Sequence, residues 1–293
     1  MIMKQLRYIM LFLIASLIMA SCGDEKLDPN SIFDTDTPEM NEFDKWIRSN
    51  LTTPYNIQLK YKFDDKESNN NYNLAPAKLE NSIALAKLIK HLWIDAYDEL
   101  LGSNFLKQYS PRLFNFIGSP AYNSSGSIIL GTAEGGLKVT LYNINMIDID
   151  DIDINQLNYW YFKTMHHEFA HILHQTKSYT TDFNLISAQD YQSTSWVNVS
   201  ETNALKMGFI SPYASSETQE DFVELIAVYV TNTEAYWQSL LETAGGGSLK
   251  ILEKFAIVQD YLLTTWEIDI VKLREIVLRR SSEVESMDLT TLN

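Results

Sequence analysis

Four of the five histidines in this chain of 293 residues lie within residues 166–174. Among them, His167-Glu168-Phe-Ala-His171 has the form H-E-x-x-H. On a helix, His167 and His171 would stand one turn apart on one face, where both imidazoles can reach a single zinc ion. Glu168 would lie about 100° around the helix, where its carboxylate can reach a zinc-bound water without occupying a coordination position. The spacing therefore predicts a hydrolytic zinc site with Glu168 as general base.

The other two histidines of the cluster have different expected roles. His166 points about 100° away from His167 and is predicted to be a packing or surface residue. His174 lies one turn beyond His171, near the metal face, but three ligands from one straight helix would be strained. Contact with substrate, hydrogen bonding to a ligand imidazole, and simple burial or exposure all stay open for it. In the metzincin subclass of zinc peptidases, Gly and His follow the motif at the positions that His174 and Lys177 occupy here, so the chain is not a metzincin.

A catalytic zinc usually takes three protein ligands and keeps one position open. The only histidine outside the cluster is His91, and the chain has a single cysteine. We therefore expect a carboxylate from a second helix as the third ligand. Glu220 and Glu224 share one face of such a helix, with Asp221 turned away. One of the two glutamates could bind metal while the other accepts a hydrogen bond from a ligand imidazole, and the spacing does not say which.

Charge and cysteine content exclude several other classes of protein. The chain has 23 Lys and Arg against 38 Asp and Glu, a formal net charge of -15, which argues against a nucleic-acid partner. The single cysteine, Cys22, permits neither an intramolecular disulfide nor a cysteine-rich zinc ribbon. The acidic run 148–153 is interpreted as an acidic loop leading into a helix, with Ca²⁺ binding left open because its spacing fits no calcium-loop pattern.

The N-terminus has the features of an export signal. Residues 1–21 contain two basic residues and an apolar run of about 13 residues, shorter than a membrane-spanning helix requires. Small residues then precede Cys22, which resembles a bacterial lipoprotein signal. We predict a signal peptide at 1–21, a lipid on Cys22 and a flexible tether at 22–36. The alternatives are an uncleaved anchor and an incidental cysteine.

Hydrophobic periodicity predicts the elements that must carry these residues. Gly102 is expected to end one long helix, and Ser216 with Gln219 resembles a capping box that starts another. A hairpin turn is expected at 133–136, between strands 127–130 and 137–141. The predicted helices are 37–47, 76–101, 156–177, 217–235, 248–264 and 268–280, and the predicted strands are 57–63 and short segments within 113–145.

This order of elements favours an α+β fold with a small mixed sheet. The catalytic domain is predicted to span 37–293, with a first lobe at 37–145 and a helical zinc-binding lobe at 146–293. Whether the first lobe is a separate domain stays open.

The motifs together resemble a known family. The lipoprotein signal, the cluster around His167 and the segment from Gly208 to Glu224 resemble the zinc metallohydrolase lipoproteins of Bacteroidetes that are associated with substrate import. This resemblance covers nearly the whole chain. The second half is also similar to the catalytic end of anthrax lethal factor-like proteases, where a tyrosine stands seven residues before a glutamate ligand that opens an E-x-x-A-E sequence. Tyr213 and Glu220 reproduce that separation, and Val223 replaces the alanine.

The resemblance implies roles that spacing alone leaves open. It implies that Glu220 is the metal ligand, that Glu224 holds a ligand imidazole, and that Tyr213 hydrogen-bonds the developing oxyanion. It also implies a zincin-like fold in which an edge strand beside the active-site helix pairs with extended substrate. The strand at 137–143 is the candidate for that role.

The expected function is that of a surface-anchored zinc metallopeptidase with one zinc ion per chain. Zinc would lower the pKa of its bound water and polarise the scissile carbonyl. Glu168 would take the water proton and deliver it to the leaving amine. Peptides or proteins are the expected substrates and an outer-membrane importer is a candidate partner. The protein would contact the membrane only through its lipid anchor. It would be attached to the outer membrane and exposed at the cell surface. Two alternatives remain: a nutrient-binding accessory lipoprotein on a zincin scaffold, and a zinc hydrolase of a non-peptide bond.

Overall fold

The computed structural model of the chain describes residues 39–69, 71–122, 126, 128–134 and 137–292. The predicted signal peptide, Cys22, the whole predicted tether and residues 37 and 38 of the first predicted helix lie outside these residues. Met40–Asn293 forms one compact unit by its internal contacts. Within the described residues, every helix is too short or too polar to cross a membrane.

Helices make up most of the described chain. We label the longer ones α1 (Glu42–Ile47), α2 (Leu79–Ile89), α3 (Asp95–Leu101), α4 (Asn104–Tyr109), α5 (Lys163–Thr176), α6 (Glu201–Met207), α7 (Thr218–Thr231), α8 (Glu234–Ala244), α9 (Ser248–Trp266) and α10 (Ile270–Glu283). Short α-helical turns are Thr53–Tyr55, Ile154–Leu157 and Phe183–Ile186. Wider π-helical turns are Arg48–Thr52, Lys90–Ile94 and Asn158–Phe162. Short 3₁₀ turns are Ile144–Met146, Ser193–Asn198, Tyr213–Ser215, Gly245–Gly247 and Val284–Ser286.

A small mixed sheet packs against these helices. Its strands are β1 (Gln58–Lys60), β2 (Leu113–Phe116), β5 (Gly131–Glu134) and β6 (Lys138–Leu141), and a separate ribbon holds β3 (Ala121–Tyr122) and β4 (Ile128–Ile129). The sheet order is β1-β2-β6-β5, with β1, β2 and β6 parallel and β5 antiparallel to β6. The predicted α+β fold class with a small mixed sheet is confirmed.

The sheet order corrects the predicted edge strand. Residues 137–143 contain β6, which is paired on both sides, so that strand cannot accept a further strand. The outer strand beside it is β5. The predicted hairpin was therefore wrong in its first strand: residues 131–134 pair with β6, with Glu134 opposite Lys138, so the hairpin partner of β6 is β5 and not 127–130. Ile128 and Ile129 pair with β3 instead.

Other boundaries differ from the predictions for local reasons. The first helix begins at Glu42, where the Asn41 side chain forms a capping box, rather than near Thr37. Ser216 does not cap α7, because its hydroxyl donates to the carbonyl of Tyr213 at 2.7 Å and closes the preceding turn. Helices α4, α6 and α8 were not predicted. Gly102 ends α3 with a φ of 79°, as expected.

Aromatic packing fixes the helix that carries the histidines. Phe169 of α5 is fully buried. Its ring centroid lies 5.2 Å from that of Trp93 and 5.0 Å from that of Tyr97, both in edge-to-face geometry. Trp93 also makes an edge-to-face contact with Phe114 of β2. One side of α5 is thereby held against the first-lobe helices and sheet, which leaves its histidine face for α7.

The start of α5 is held by the sheet as well. A Cβ on Gly131 of β5 would lie 2.6 Å from Cγ2 of Thr164 on α5. Only glycine permits so close an approach. The edge strand β5 therefore runs directly beside the histidine-bearing helix.

Candidate metal centre

Two helices bring three metal-ligating side chains together. Oε2 of Glu220 on α7 lies 3.0 Å from Nε2 of His167 and 3.4 Å from Nε2 of His171 on α5. The ligand atoms of all three residues lie within 4.8 Å of one another. Within the described part of the chain, this is the one group of three or more such donors that could hold a metal ion.

The spacing of these atoms suits zinc. Zinc binds nitrogen and carboxylate oxygen at roughly 2.0–2.2 Å, so neighbouring ligand atoms of a tetrahedral site lie about 3.3 Å apart. The two distances from Glu220 Oε2 are close to that value. The donor set of two imidazoles and one carboxylate is also one that catalytic zinc uses, with a fourth position left for water or substrate.

The hydrogen bonds that the two imidazoles make on their other side also favour a metal ion at this site. Nδ1 of His167 lies 3.0 Å from Oε1 of Glu224, and Nδ1 of His171 lies 2.9 Å from Nε2 of His174. A proton on each Nδ1 would leave each Nε2 as a lone pair that faces the Glu220 carboxylate. Lone pairs at this distance repel unless a cation lies between them. The arrangement therefore calls for a positive charge at the point where the three atoms converge.

The pKa values of His167 and Glu220 also favour a positive charge between these side chains. Burial opposes the charged form of both groups, but their mutual hydrogen bonding outweighs it. Together with Glu224, Glu220 raises the pKa of His167 to about 9. His167 and His171 lower the pKa of Glu220 to about 2. The surroundings thus favour a cation between these side chains, and a metal ion can take the place of the proton.

Glu224 lies behind His167 and is not one of the three converging donors. Besides His167, its carboxylate accepts hydrogen bonds at Oε2 from Ser211 Oγ at 2.7 Å and from Lys163 Nζ at 2.8 Å. Burial opposes ionisation of Glu224, yet Lys163 and His167 hold its pKa well below the ordinary range. Glu224 therefore stays ionised and can orient the imidazole of His167. The structure places Glu220 among the converging donors and Glu224 behind His167, a distinction that spacing alone left open.

His174 supports the second imidazole. Its ring is buried, contacts the rings of Tyr179 and Phe222, and points Nε2 at His171. Burial, followed by the charge of His171, lowers the pKa of His174 to about 4. A neutral His174 can accept the Nδ1 proton of His171 and hold that ring in place. Of the roles left open for His174, the structure shows the hydrogen bond to His171.

Glu168 lies beside the cluster without joining the three converging donors. Its side chain is half-buried, and its pKa responds to the charges of His167, His171 and Glu220. Burial raises the pKa of Glu168 above its ordinary value, against the lowering effect of the two histidines. A carboxylate with a raised pKa beside a metal position is suited to accept a proton and return it.

Tyr213 reaches the site from the 3₁₀ turn before α7. Its ring centroid lies 5.9 Å from that of His167 and 5.0 Å from that of Trp196. The residue exposes 36% of its surface, so a bound ligand could touch it. Burial, followed by the charges of Glu220 and Glu168, raises the pKa of Tyr213 above its ordinary value. Its hydroxyl therefore keeps its proton and can donate it in a hydrogen bond.

Two residues of this network were not predicted from the sequence. Lys163 stands one helical turn before His167 on α5. A basic residue on the same helix face as the motif is a sequence pattern from which Lys163 could have been predicted. Ser211 is linked to Glu224 only through the tertiary fold, and no sequence pattern indicated it. Its oxygen also accepts the backbone N–H of Ala214 at 3.1 Å, which connects Glu224 to the turn that carries Tyr213.

The remaining candidates lie away from the centre. His166 is buried with Nδ1 3.1 Å from the hydroxyl of Tyr97, and burial lowers its pKa to about 3. This makes it a neutral packing residue, one of its two predicted roles. In the acidic run, Asp153 caps the turn Ile154–Leu157 through a hydrogen bond from the backbone N–H of Asn155.

Comparison with known proteins bears on this geometry. Residues 36–271 match a family model described as "Putative zinc-binding metallo-peptidase". A crystal structure of a "putative zinc-binding metallo-peptidase" from Bacteroides caccae is 39% identical in sequence, with a TM-score of 0.76, over 90% of this chain and 100% of that one. Among curated proteins, none matches the chain. The resemblances to a surface lipoprotein and to lethal factor stay predictions.

Proposed function

The chain belongs to the family described as "putative zinc-binding metallo-peptidase", and from this premise we propose that it hydrolyses peptide bonds with one bound zinc ion. The observation that carries the proposal is the convergence of His167, His171 and Glu220 with a half-buried carboxylate, Glu168, beside them. Hydrolysis needs both a metal position and a group that can move a proton, and this arrangement supplies both.

When bound by the three donors, zinc would polarise the scissile carbonyl and make the attacking water more acidic. Each of the chain's own residues has a separate task. Glu168 accepts the proton of the water and delivers it to the leaving amine. Tyr213 donates its hydroxyl proton in a hydrogen bond to the oxyanion that develops on the substrate. Glu224 and His174 hold the two imidazoles at fixed orientations.

The substrate would bind in extended form along β5. This strand has β6 on one side and is one of the two outer strands of the described sheet, the other being β1. A substrate peptide could add a strand there through backbone hydrogen bonds. Because β5 runs beside α5, such a peptide would pass close to the histidine face. Peptides or proteins are therefore the proposed substrates.

The location of the protein is proposed from its N-terminal sequence. Export, lipid attachment at Cys22, display on the outer membrane and association with an importer rest on that sequence alone. Fatty-acid labelling of the full chain should be lost in Cys22→Ser, and labelling of that variant would exclude anchoring at Cys22.

Cleavage of a peptide library tests the proposed activity. The purified chain should cleave library peptides, lose this activity on chelation and regain it when one equivalent of zinc is added. Cleavage that survives complete removal of metal would contradict the proposal. A chain that binds zinc and library peptides without cleaving them would favour the accessory binding protein, whereas cleavage of non-peptide bonds alone would favour the other hydrolase.

Replacing Tyr213 with phenylalanine should lower kcat while leaving the zinc content unchanged. His167, His171 and Glu220 already supply the three protein ligands that catalytic zinc usually takes, so the phenol is expected to contribute to the rate rather than to hold the metal. Loss of one oxyanion donor typically lowers kcat about 10²- to 10³-fold. Steady-state kinetics with metal analysis measures both quantities, and an unchanged kcat would remove Tyr213 from the proposed mechanism.

A further inference from the structure

A buried ion pair lies behind the metal centre. Lys254 on α9 and Asp221 on α7 each expose 1% of their side-chain surface, and their Nζ and Oδ2 atoms are 2.6 Å apart. Taking two charges out of water costs several kcal/mol per ion. The attraction between them offsets that cost only when the geometry is good and the remaining protons and lone pairs are hydrogen-bonded. The bonds made by Lys254 beyond the pair therefore indicate what it holds in place.

Lys254 holds the beginning of the segment that leads to Tyr213. Its Nζ donates to the carbonyl of Gly208 at 2.8 Å and lies 4.1 Å from the ring centroid of Phe209. Gly208 ends α6 in the left-handed region, with a φ of 93°, which turns the chain towards the site. Five residues further along the chain is Tyr213.

The other end of the same segment is fixed by Glu224. Ser211 donates to Glu224 at 2.7 Å and accepts the N–H of Ala214, next to Tyr213. Two side-chain hydrogen bonds therefore hold residues 208–213, one from Lys254 to Gly208 and one from Ser211 to Glu224. Loss of the first would leave Ser211 and backbone hydrogen bonds, such as that from Phe209 N–H to the Ala204 carbonyl at 2.9 Å, to hold the segment.

Asp221 links the ion pair to two further parts of the site. It follows Glu220 directly in the first turn of α7. It also accepts a hydrogen bond from the Tyr191 hydroxyl at 2.9 Å. The next residue, Gln192, donates its backbone N–H to Ser215 at 2.7 Å, within the turn that carries Tyr213.

We propose that Lys254, through its bonds to Asp221 and Gly208, is a positioning residue that places the Tyr213 hydroxyl for the hydrolytic step. This inference rests on the proposed function. The Lys254 side chain is buried, with 1% of its surface exposed, so it acts only through the residues that it holds. A small misplacement of a reacting group can lower the rate by as much as about 10²-fold.

Kinetics of Lys254→Met test the proposal in two backgrounds. Methionine keeps most of the side-chain volume but cannot bond Gly208 or Asp221. In the wild-type background, kcat should fall by about 10- to 100-fold, with zinc content unchanged and KM changed by less than about 2-fold, because the lost contact acts in the transition state. In the Tyr213→Phe background, the same change should cause no further loss, since the hydroxyl that it misplaces is already absent. Lys254→Arg should restore part of the rate.

Arg274→Met is the matched control. Arg274 is also a buried cation that donates to a carbonyl at a helix end, Asn232 after α7, at 2.7 Å. That carbonyl lies at the opposite end of α7 from Glu220, roughly 18 Å along the helix. Arg274→Met should therefore lower stability without lowering kcat.

Several outcomes would overturn the proposal. One is a loss of kcat in Arg274→Met as large as that in Lys254→Met. A second is that Lys254→Met lowers kcat by the same factor in the Tyr213→Phe background as in the wild type. A third is that Lys254→Met changes KM and leaves kcat unchanged. If Lys254→Met does not fold, Asp221→Asn replaces it in the same two backgrounds. Asp221→Asn should then lower kcat in the wild-type background and cause no further loss in the Tyr213→Phe background. Failure of the proposed function is distinguishable, because wild-type chain would then show no zinc-dependent cleavage at all.

Discussion

Replacing Glu168 with glutamine is expected to abolish most peptide cleavage while zinc stays bound. Glutamine has nearly the same shape as glutamate but cannot accept a proton from water at neutral pH. General acid–base catalysis typically contributes about 10²- to 10⁴-fold to the rate, so kcat/KM should fall within that range. Because Glu168 is not one of the three converging donors, metal analysis should still find about one zinc per chain.

The burial of Glu168 strengthens this expectation. Its half-buried position raises its pKa, and a raised pKa brings a carboxylate closer to the value that suits a general base near neutral pH. Glu242→Gln is a suitable control, because Glu242 is an exposed residue of α8 that takes no part in the metal centre. Full activity in Glu168→Gln, with zinc bound, would contradict the role of Glu168 and favour another proton acceptor.

Replacing Glu220 with alanine is expected to remove zinc from the chain. Glu220 supplies the oxygen that lies 3.0 Å and 3.4 Å from the two Nε2 atoms, and without it only two protein ligands remain. Two imidazoles on one helix leave the site short of the three ligands that catalytic zinc uses. Zinc content should fall from about one per chain to a small fraction, and cleavage should fall with it. Competition with a chelator of known affinity measures the change.

Glu224→Ala is the matched comparison on the same helix. Glu224 bonds Nδ1 of His167 instead of facing the metal position. Loss of such a partner typically weakens metal affinity about 10- to 100-fold. Zinc should therefore still bind Glu224→Ala at high concentration. If Glu224→Ala lost more zinc than Glu220→Ala, the two assignments would have to be exchanged.

The histidine motif was predictable because its information is local. The separation of His167 and His171 in sequence becomes one helical turn in space whenever the segment is helical, and the apolar periodicity around it predicts a helix. The separation of Glu220 from Glu224 is local in the same way, so their shared face was also predictable. Their different roles were indicated only by resemblance, because the choice depends on how α7 packs on α5.

The supporting residues were less predictable. Lys163 could have been found, since it shares the face of the motif on α5. Ser211 and Lys254 could not, because each meets its partner across a distance in sequence that no periodicity spans. The edge strand was assigned wrongly for a related reason. Alternation of apolar residues identifies a strand, but it does not say which strand lies outermost in a sheet.

By itself, the sequence determined the kinds of candidate ligand, the helix that carries two of them and the α+β class, because each depends on short-range spacing and composition. Tertiary structure decided which glutamate faces the two Nε2 atoms, which groups contact the imidazoles from behind, and that β5 instead of β6 is an outer strand of the described sheet. Those choices depend on contacts between segments far apart in the chain. They are made when burial of Phe169 and the neighbouring aromatic rings brings the helices and the sheet together.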